Sequence, residues 1–167
     1  MNFYSNKLGL EYDDKGAISR TGKINSDLLT ELNELDFYNL SYPKSLGFEF
    51  VKEIVLPIIE SYEIATEDKL ATFTEHIAYQ IGLALPNKKT KLLITGGGAY
   101  NDFLISRIQY YIEDTWIVIP EKKIIEFKEA LIFGLLGVLK LRNEINTLGS
   151  VTGASKDHSS GKIYNPK

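Results

Sequence analysis

The sequence contains no cysteine, and only two histidines occur among its 167 residues. The absence of cysteine excludes disulfides, thiol catalysis and zinc ribbons. His76 and His158 lie far apart in the chain, so they offer little for a transition-metal site. His76 also falls beside the apolar stripe of a predicted helix, which favours a packing role over a catalytic one. We therefore expect no metal ligands in the chain itself, and any metal ion to arrive with a bound ligand.

A strong charge of one sign and a long apolar run are missing as well. The net charge of -3 provides no basic surface for DNA or RNA. The longest apolar run, residues 130–139, ends at Lys140 and is too short to cross a bilayer. The first residues lack the apolar core of a signal peptide. The sequence therefore predicts a soluble, cytoplasmic protein that binds neither nucleic acid nor a membrane.

The most informative motif is a triple-glycine turn between a predicted strand, residues 92–95, and a predicted helix. Gly96, Gly97 and Gly98 have no Cβ, so the main chain can approach a phosphate or nucleotide closely. Asn101 is a favourable N-cap, and the apolar residues after it keep helical spacing. The N–H groups of the first helical turn and the helix dipole then favour an anion at the turn. The pattern favours a nucleotide or phosphate site over a tight connection without a ligand.

The turn does not match the two common nucleotide-binding fingerprints. A Rossmann G-x-G-x-x-G motif needs glycine where Asn101 stands, although Glu121, after the predicted strand 116–119, could imitate the ribose-binding acid. The P-loop pattern G-x-x-x-x-G-K-[ST] is absent from the sequence. A small Rossmann-like module that binds NAD is therefore a weaker alternative.

The strand pattern predicts an α/β domain with a small sheet. Residues 10–21 are typical of a hairpin whose turn contains Gly16 with positive φ. The predicted strands 92–95 and 116–119 are separated by a helix, so they are expected to be parallel. Two parallel strands and a hairpin are too few for a complete doubly wound sheet, and the sheet is expected to be incomplete.

Along the sequence, helices are predicted both before and after these strands. Asn25 or Ser26 caps a short helix, and a helix that begins near Phe48 should be kinked or split before Pro57. Thr66 opens a longer helix with a buried apolar stripe.

The last predicted helix covers residues 124–142. Gly134 and Gly137 are expected to permit a close helix crossing. Residues 155–167 are polar and are expected to form a flexible tail. The apolar spacing in this helix predicts inward side chains at Phe127, Leu131, Leu135, Val138 and Leu139.

Four blocks of the sequence occur in the order seen in anhydro-N-acetylmuramic acid kinases. The blocks are residues 44–47, residues 95–99 with Asn101, residues 129–130 with Phe133, and residues 150–154. The segment 12–29 is also similar to the corresponding part of that family. The chain therefore resembles this kinase family over nearly its whole length.

The resemblance implies the C-terminal lobe of a ribonuclease H-like, actin-like ATPase fold. Residues 1–154 would form this α/β lobe, with an incomplete sheet covered by helices, and residues 155–167 the tail. The family uses ATP and Mg2+ to convert 1,6-anhydro-N-acetylmuramic acid and water into N-acetylmuramic acid 6-phosphate during bacterial cell-wall recycling. Adenine nucleotide and an amino sugar are the expected ligands.

By the same resemblance, five residues match the adenosine motif of the family. They are Gly96, Gly97, Gly98, Ala99 and Asn101. This agrees with the close-approach nucleotide site inferred from the residues alone.

Three further residues match positions near the sugar. Glu129 matches an acidic residue at the start of the family's last helix; the residues alone would explain it by its interaction with the helix dipole. Lys44 and Ser45 match a loop block that either contacts the sugar or caps the next helix. Phe48 stands where many family members have arginine.

Two family motifs are absent from this sequence. They are the phosphate loop G-T-S-x-D-G-x-D and the block D-T-G-P-G-N, whose aspartate is the general base. Loss of a general base is expected to cost roughly two to four powers of ten in rate. We therefore assign no catalytic residue and expect turnover to depend on a missing N-terminal lobe. The alternative is a non-catalytic interaction domain that forms a homodimer through an uncovered sheet edge or helix face.

Overall fold

The computed structural model describes residues 1–41, 44–85 and 90–164. The chain divides into two compact units. The first unit comprises Met1–Leu40 and Ser45–Pro120, and the second comprises Ser41–Lys44 and Glu121–Lys167. The described residues form a helix-rich α/β protein with one small sheet.

The first unit contains seven α-helices and two strands among its described residues. Its helices are α1 (Asn2–Lys7), α2 (Ala17–Thr21), α3 (Ser26–Asn33), α4 (Phe48–Phe50), α5 (Leu56–Ser61), α6 (Thr66–Ala84) and α7 (Asp102–Tyr111). Its strands are β1 (Lys91–Leu93) and β2 (Trp116–Val118). In the second unit the helices are α8 (Lys122–Leu141) and α9 (Gly149–Thr152).

Helix α6 is the central element of the first unit because it contributes to two apolar clusters. Leu70 and Phe73 belong to a cluster with α1, α3 and α5, whose buried members also include Tyr4, Leu28, Leu32, Val55 and Ile59. Further along α6, Ala78 packs with three residues of α7 and its C-terminal end, Leu104, Ile108 and Ile112. The buried stripe predicted for α6 is therefore confirmed only in part: Leu70 and Phe73 are buried, Ile77 and Ile81 are half-buried, and Ala84 is exposed.

The sheet contains two parallel strands in the part of the chain that the structure describes, as predicted. Leu92 pairs with Ile117, and both pack against the cluster between α6 and α7. On the opposite face Leu93 is 60% exposed and Trp116 is 76% exposed. An apolar run such as residues 92–95 favours a strand that is covered on both faces, but β1 is covered on one face only.

The predicted hairpin over residues 10–21 is wrong. Residues Asp14–Gly16 form a 3-10 turn, and α2 follows directly. The buried carboxylate of Asp13 accepts hydrogen bonds from Ile18 N at 2.7 Å and Ser19 N at 3.0 Å. These bonds supply acceptors to the first N–H groups of α2, which favours a helix where the sequence pattern predicted a strand. Gly16 does have the predicted positive φ, at 74°.

Asn25 caps α3 as predicted, since its side chain accepts from Leu28 N at 2.9 Å. The irregularity expected before Pro57 is a π-helical segment, Val51–Val55, that connects α4 to α5 without a break. A π-helical segment widens the backbone, and this one accommodates a proline that cannot donate.

The second unit confirms the predicted last helix but not its buried face. Phe127, Leu131, Leu135 and Val138 are exposed by 50% or more. A Cβ at Gly134 or Gly137 would meet no atom within 4 Å, so the described residues form no close crossing there. The spacing of apolar residues along a helix identifies its apolar face, but it does not identify the surface that covers that face.

Within the segment predicted as a tail, His158 pairs with Thr147 in an antiparallel bridge. Asn146 Oδ1 also accepts from Ser160 N at 2.8 Å. Residues 165–167 of that segment lie outside the described residues.

Candidate functional site

The glycine turn lies directly after the carboxyl end of β1. Ile94 N donates to Val118 O at 3.0 Å, which extends the strand pairing toward the turn. Gly96 has φ 84°, in a region that residues with a Cβ rarely adopt. Residues Gly97–Tyr100 then form a 3-10 turn that leads to Asn101 and α7. The order of strand, glycine turn and capped helix is the one predicted from the sequence.

The turn is open to an incoming ligand. A Cβ at Gly96 or Gly97 would meet no atom within 4 Å, and one at Gly98 would meet only Leu104 Cδ2 at 3.8 Å. Gly97 and Gly98 are exposed, whereas Ala99 is 3% exposed and anchors the turn. Among the described residues, the N–H groups of Gly97 and Gly98 donate to no protein acceptor. They are available to an anion or a nucleotide oxygen.

Asn101 closes the turn as a helix cap. The residue is 8% exposed, and its Oδ1 accepts from Leu104 N at 2.9 Å, as predicted for an N-cap. The glycine at position 16 supports this cap: a Cβ there would overlap with Asn101 Oδ1 and lie 2.5 Å from Phe103 Cβ. The sequence indicated a turn at Gly16 but not its contact with Asn101, because that contact joins distant parts of the chain.

His76 has the packing role that the sequence predicted. The residue is 2% exposed, and its ring lies between two hydrogen-bond partners. Nδ1 is 2.7 Å from Asn33 Oδ1, which can only accept, so Nδ1 carries the proton and Nε2 accepts from Tyr38 Oη at 2.8 Å. Burial lowers the pKa of His76 from 6.5 to about 4, so the ring is neutral at neutral pH.

The three residues expected near the sugar are divided between the two units. Ser45 belongs to the first unit, and Lys44 and Glu129 to the second. Glu129 is exposed on α8, but this helix begins at Lys122 and has no acidic residue in its first turn. The explanation of Glu129 by the helix dipole is therefore wrong, because the dipole acts mainly within one turn. Ser45 does not cap α4, whose N-cap is Gly47.

A cavity of about 500 Å³ lies at the other end of α7. It is at the amino ends of the strands, whereas ligands of parallel sheets bind at the carboxyl ends, where the glycine turn lies. The cavity is therefore not the candidate nucleotide site. Its lining residues are Thr90, Lys91, Gln109, Glu113, Asp114, Thr115 and Trp116.

Two kinds of feature are absent from residues 1–41, 44–85 and 90–164. No group of three or more histidine, aspartate or glutamate side chains is placed to hold a metal ion there. Within the same ranges, no helix combines the length and the hydropathy that a membrane span requires.

Comparison with known families identifies the chain. A family model described as anhydro-N-acetylmuramic acid kinase matches residues 2–166. The chain belongs to the anhydro-N-acetylmuramic acid kinase family. The resemblance inferred from the four sequence blocks is thus confirmed.

Individual members of the anhydro-N-acetylmuramic acid kinase family give the same result. The kinase of Aliivibrio fischeri is 34% identical and that of Saccharophagus degradans 33% identical, over 93% and 95% of this chain. The kinase of Bacillus cereus is 31% identical over 94% of the chain. The chain spans 44% of the length of each of these relatives.

Proposed function

We propose that this chain is the C-terminal, nucleotide-binding lobe of an anhydro-N-acetylmuramic acid kinase, with a ribonuclease H-like fold. The complete kinase phosphorylates 1,6-anhydro-N-acetylmuramic acid with ATP and opens its anhydro bridge with water, giving N-acetylmuramic acid 6-phosphate. We place this reaction in the cytoplasm, in the recycling of peptidoglycan. The observation that carries the proposal is the open turn at Gly96, Gly97 and Gly98 in a chain of this family.

The turn can bind adenine nucleotide through its main chain. Gly97 and Gly98 are exposed, and their N–H groups can donate to ribose or phosphate oxygens. The positive end of the α7 dipole lies beside them, and Asn101 holds the first turn of that helix in place. Mg2+ is usually held by substrate phosphates with only one or two protein carboxylates. In this proposal Mg2+ therefore comes with ATP.

We assign sugar binding to Glu129, Lys44 and Ser45. A carboxylate and a hydroxyl can bind sugar hydroxyls, and an ammonium group can pair with the carboxylate of the muramic acid. The exposed position of Glu129 on α8 supports this role, since its carboxylate is accessible to a ligand.

We propose that turnover requires an N-terminal lobe that supplies the general base and the phosphate loop. Neither motif occurs in this sequence, and the relatives are more than twice as long as the matched region. Phosphoryl transfer depends on positioning and charge stabilisation around the γ-phosphate, which the glycine turn alone does not provide. In this proposal the chain binds nucleotide, and a second lobe completes the active site.

A matched pair of cap substitutions tests nucleotide binding. Asn101→Asp keeps a cap acceptor but adds a negative charge beside the turn, so we expect Mg-ATP affinity to fall about tenfold with little change in stability. Asn25→Asp makes the same change at the cap of α3 and should leave the affinity unchanged. Calorimetry with Mg-ATP and thermal unfolding measure the two quantities.

The proposal fails if the unmodified chain, at saturating Mg-ATP, shows neither binding heat nor amide protection from Gly96 to Asn101, even with the N-terminal half of a relative added. Equal affinity of the Asn101→Asp and Asn25→Asp proteins would place the nucleotide elsewhere.

A second candidate function is a non-catalytic domain that forms a homodimer. It is favoured by the exposed apolar residues of α8, of which Phe127 is 61% and Leu131 67% exposed. Monomeric proteins rarely expose large contiguous apolar patches.

For this candidate we expect a dimer by light scattering at high concentration. Leu131→Glu should give a monomer, because it places a charge in the apolar face, whereas Val151→Glu, at a residue 74% exposed outside α8, should not. A monodisperse monomer of the unmodified chain at high concentration would rule this candidate out.

A further inference from the structure

Helix α6 contains a buried carboxylate whose partners all lie on the helix that follows the glycine turn. Glu75 is 3% exposed. It accepts from Arg107 Nε at 2.6 Å, from Arg107 Nη2 at 2.7 Å and from Tyr111 Oη at 2.6 Å. Both partner residues belong to α7, and the guanidinium also lies 4.5 Å from the centre of the Tyr110 ring. Three donors thus hold one acidic group.

The three donors keep Glu75 ionised. Burial alone would raise its pKa, but the hydrogen bonds from Arg107 and Tyr111 outweigh burial and leave the pKa of Glu75 below its usual range. Burial and the hydrogen bond to Glu75 raise the pKa of Tyr111 to about 12, so Tyr111 remains a donor. At neutral pH, Glu75 and Arg107 therefore form a charged, bidentate pair.

The contact between Glu75 and Arg107 fixes the rotation and position of α7 against α6, which the neighbouring apolar cluster does not. Ala78, Leu104 and Ile108 bring α6 and α7 together, but apolar contacts have little directional preference. A bidentate arginine–carboxylate pair is directional and fixes the rotation and position of one helix against the other. A buried ion pair often stabilises no more than an apolar pair would, so its contribution is conformational specificity.

The glycine turn is connected rigidly to this contact. Arg107 is six residues after Asn101, which corresponds to about 9 Å along the axis of α7. The cap of α7 is formed by Asn101, and Gly98 O accepts from Asn101 N at 3.1 Å. A change in the position of α7 therefore moves the cap and the turn with it.

We propose that Glu75, with Arg107 and Tyr111, is a positioning residue that holds α7 so that the glycine turn has the geometry for nucleotide binding. This inference rests on the proposed nucleotide site. The contact is also expected to restrain the turn when no nucleotide is bound. Glu75 does not contact the ligand; it acts through Arg107, Tyr111 and the helix.

The test compares two tyrosine substitutions. Tyr111→Phe removes one donor to Glu75 and keeps the ring, and Tyr62→Phe removes a similar bond, from Tyr62 Oη to Glu31 Oε2 at 2.7 Å, elsewhere in the same unit. Glu75→Gln is the stronger variant, and Tyr111→Phe serves if that protein does not fold. Hydrogen exchange is measured at the hydrogen-bonded amides of Ala99, Asn101 and Leu104, with Leu28 as the reference amide, and Mg-ATP affinity by calorimetry.

We expect exchange at the turn amides to rise at least threefold relative to Leu28 in Tyr111→Phe, and about tenfold in Glu75→Gln. Mg-ATP affinity should fall by similar factors at a temperature where each protein is fully folded. Tyr62→Phe should change neither quantity. Equal acceleration at Leu28 and at the turn, with unchanged affinity, would show a purely structural contact and overturn the inference.

The exchange measurement also separates this inference from the proposed function. If the unmodified chain binds no Mg-ATP but the turn amides still respond to Tyr111→Phe, the nucleotide assignment fails and the mechanical connection stands. If the unmodified chain binds Mg-ATP and the turn amides do not respond, only the positioning role is wrong.

Discussion

Replacing Leu70 with alanine should lower the free energy of unfolding by about 3 kcal/mol. Leu70 lies in α6 with 0% exposure, in the cluster that joins this helix to α1, α3 and α5. Removing its branched end takes buried apolar area away and leaves a cavity that rigid neighbours fill only in part. Such substitutions typically cost about 2–5 kcal/mol. Urea unfolding followed by circular dichroism measures the change.

The same helix provides the control. Leu83 is 63% exposed, so Leu83→Ala should change the free energy of unfolding by less than about 0.5 kcal/mol. Because the two substitutions are identical in chemistry and helix propensity, the difference between them isolates burial. Equal losses for Leu70→Ala and Leu83→Ala would contradict the packing of α6 described above.

Lowering the pH from about 7.5 to about 5 should destabilise the fold through His76 by about 2 kcal/mol. Burial lowers the pKa of His76 to about 4 in the folded protein, against 6.5 for an exposed histidine. Below pH 6.5 the unfolded chain therefore binds a proton that the folded chain does not. The contribution of His76 is complete above that pH and is lost as the pH falls toward the folded-state pKa.

Two measurements isolate this effect from other titrating groups. His76→Gln removes the titration, so its stability should depend on pH less steeply than that of the unmodified protein, by about 2 kcal/mol over the same range. In the folded protein, the NMR signals of the His76 ring should show no titration between pH 7.5 and about 5. A ring that titrates near pH 6.5 would refute the buried, neutral state.

Local signals in the sequence were sufficient for the features that depend on neighbouring residues. The caps at Asn25 and Asn101 and the positive φ of Gly16 follow from short-range hydrogen bonds and sterics. The parallel pairing of β1 with β2 follows from the helix between them. The prediction for residues 10–21 failed because the carboxylate of Asp13 binds the first N–H groups of α2 and favours a helix over a strand.

Other features of the candidate site depend on contacts between distant residues. The contact between Gly16 and Asn101, and the bonds from Arg107 and Tyr111 to Glu75, join segments that no periodicity relates to one another. A glutamate inside an amphipathic helix is usually solvated, so its charge alone does not indicate a buried pair. Only packing of the helices shows which polar residues become buried and which partners satisfy them.

From its residues alone, this chain could be assigned to its kinase family, and its glycine turn could be located between a strand and a capped helix. Both are properties of residue order, because backbone conformation and capping act over a few residues. The open space around the turn, the two hydrogen-bond partners of His76 and the contact of Glu75 with α7 became evident only from the folded chain. These properties depend on which surfaces meet, and the free energy of that packing comes from contacts far apart in sequence.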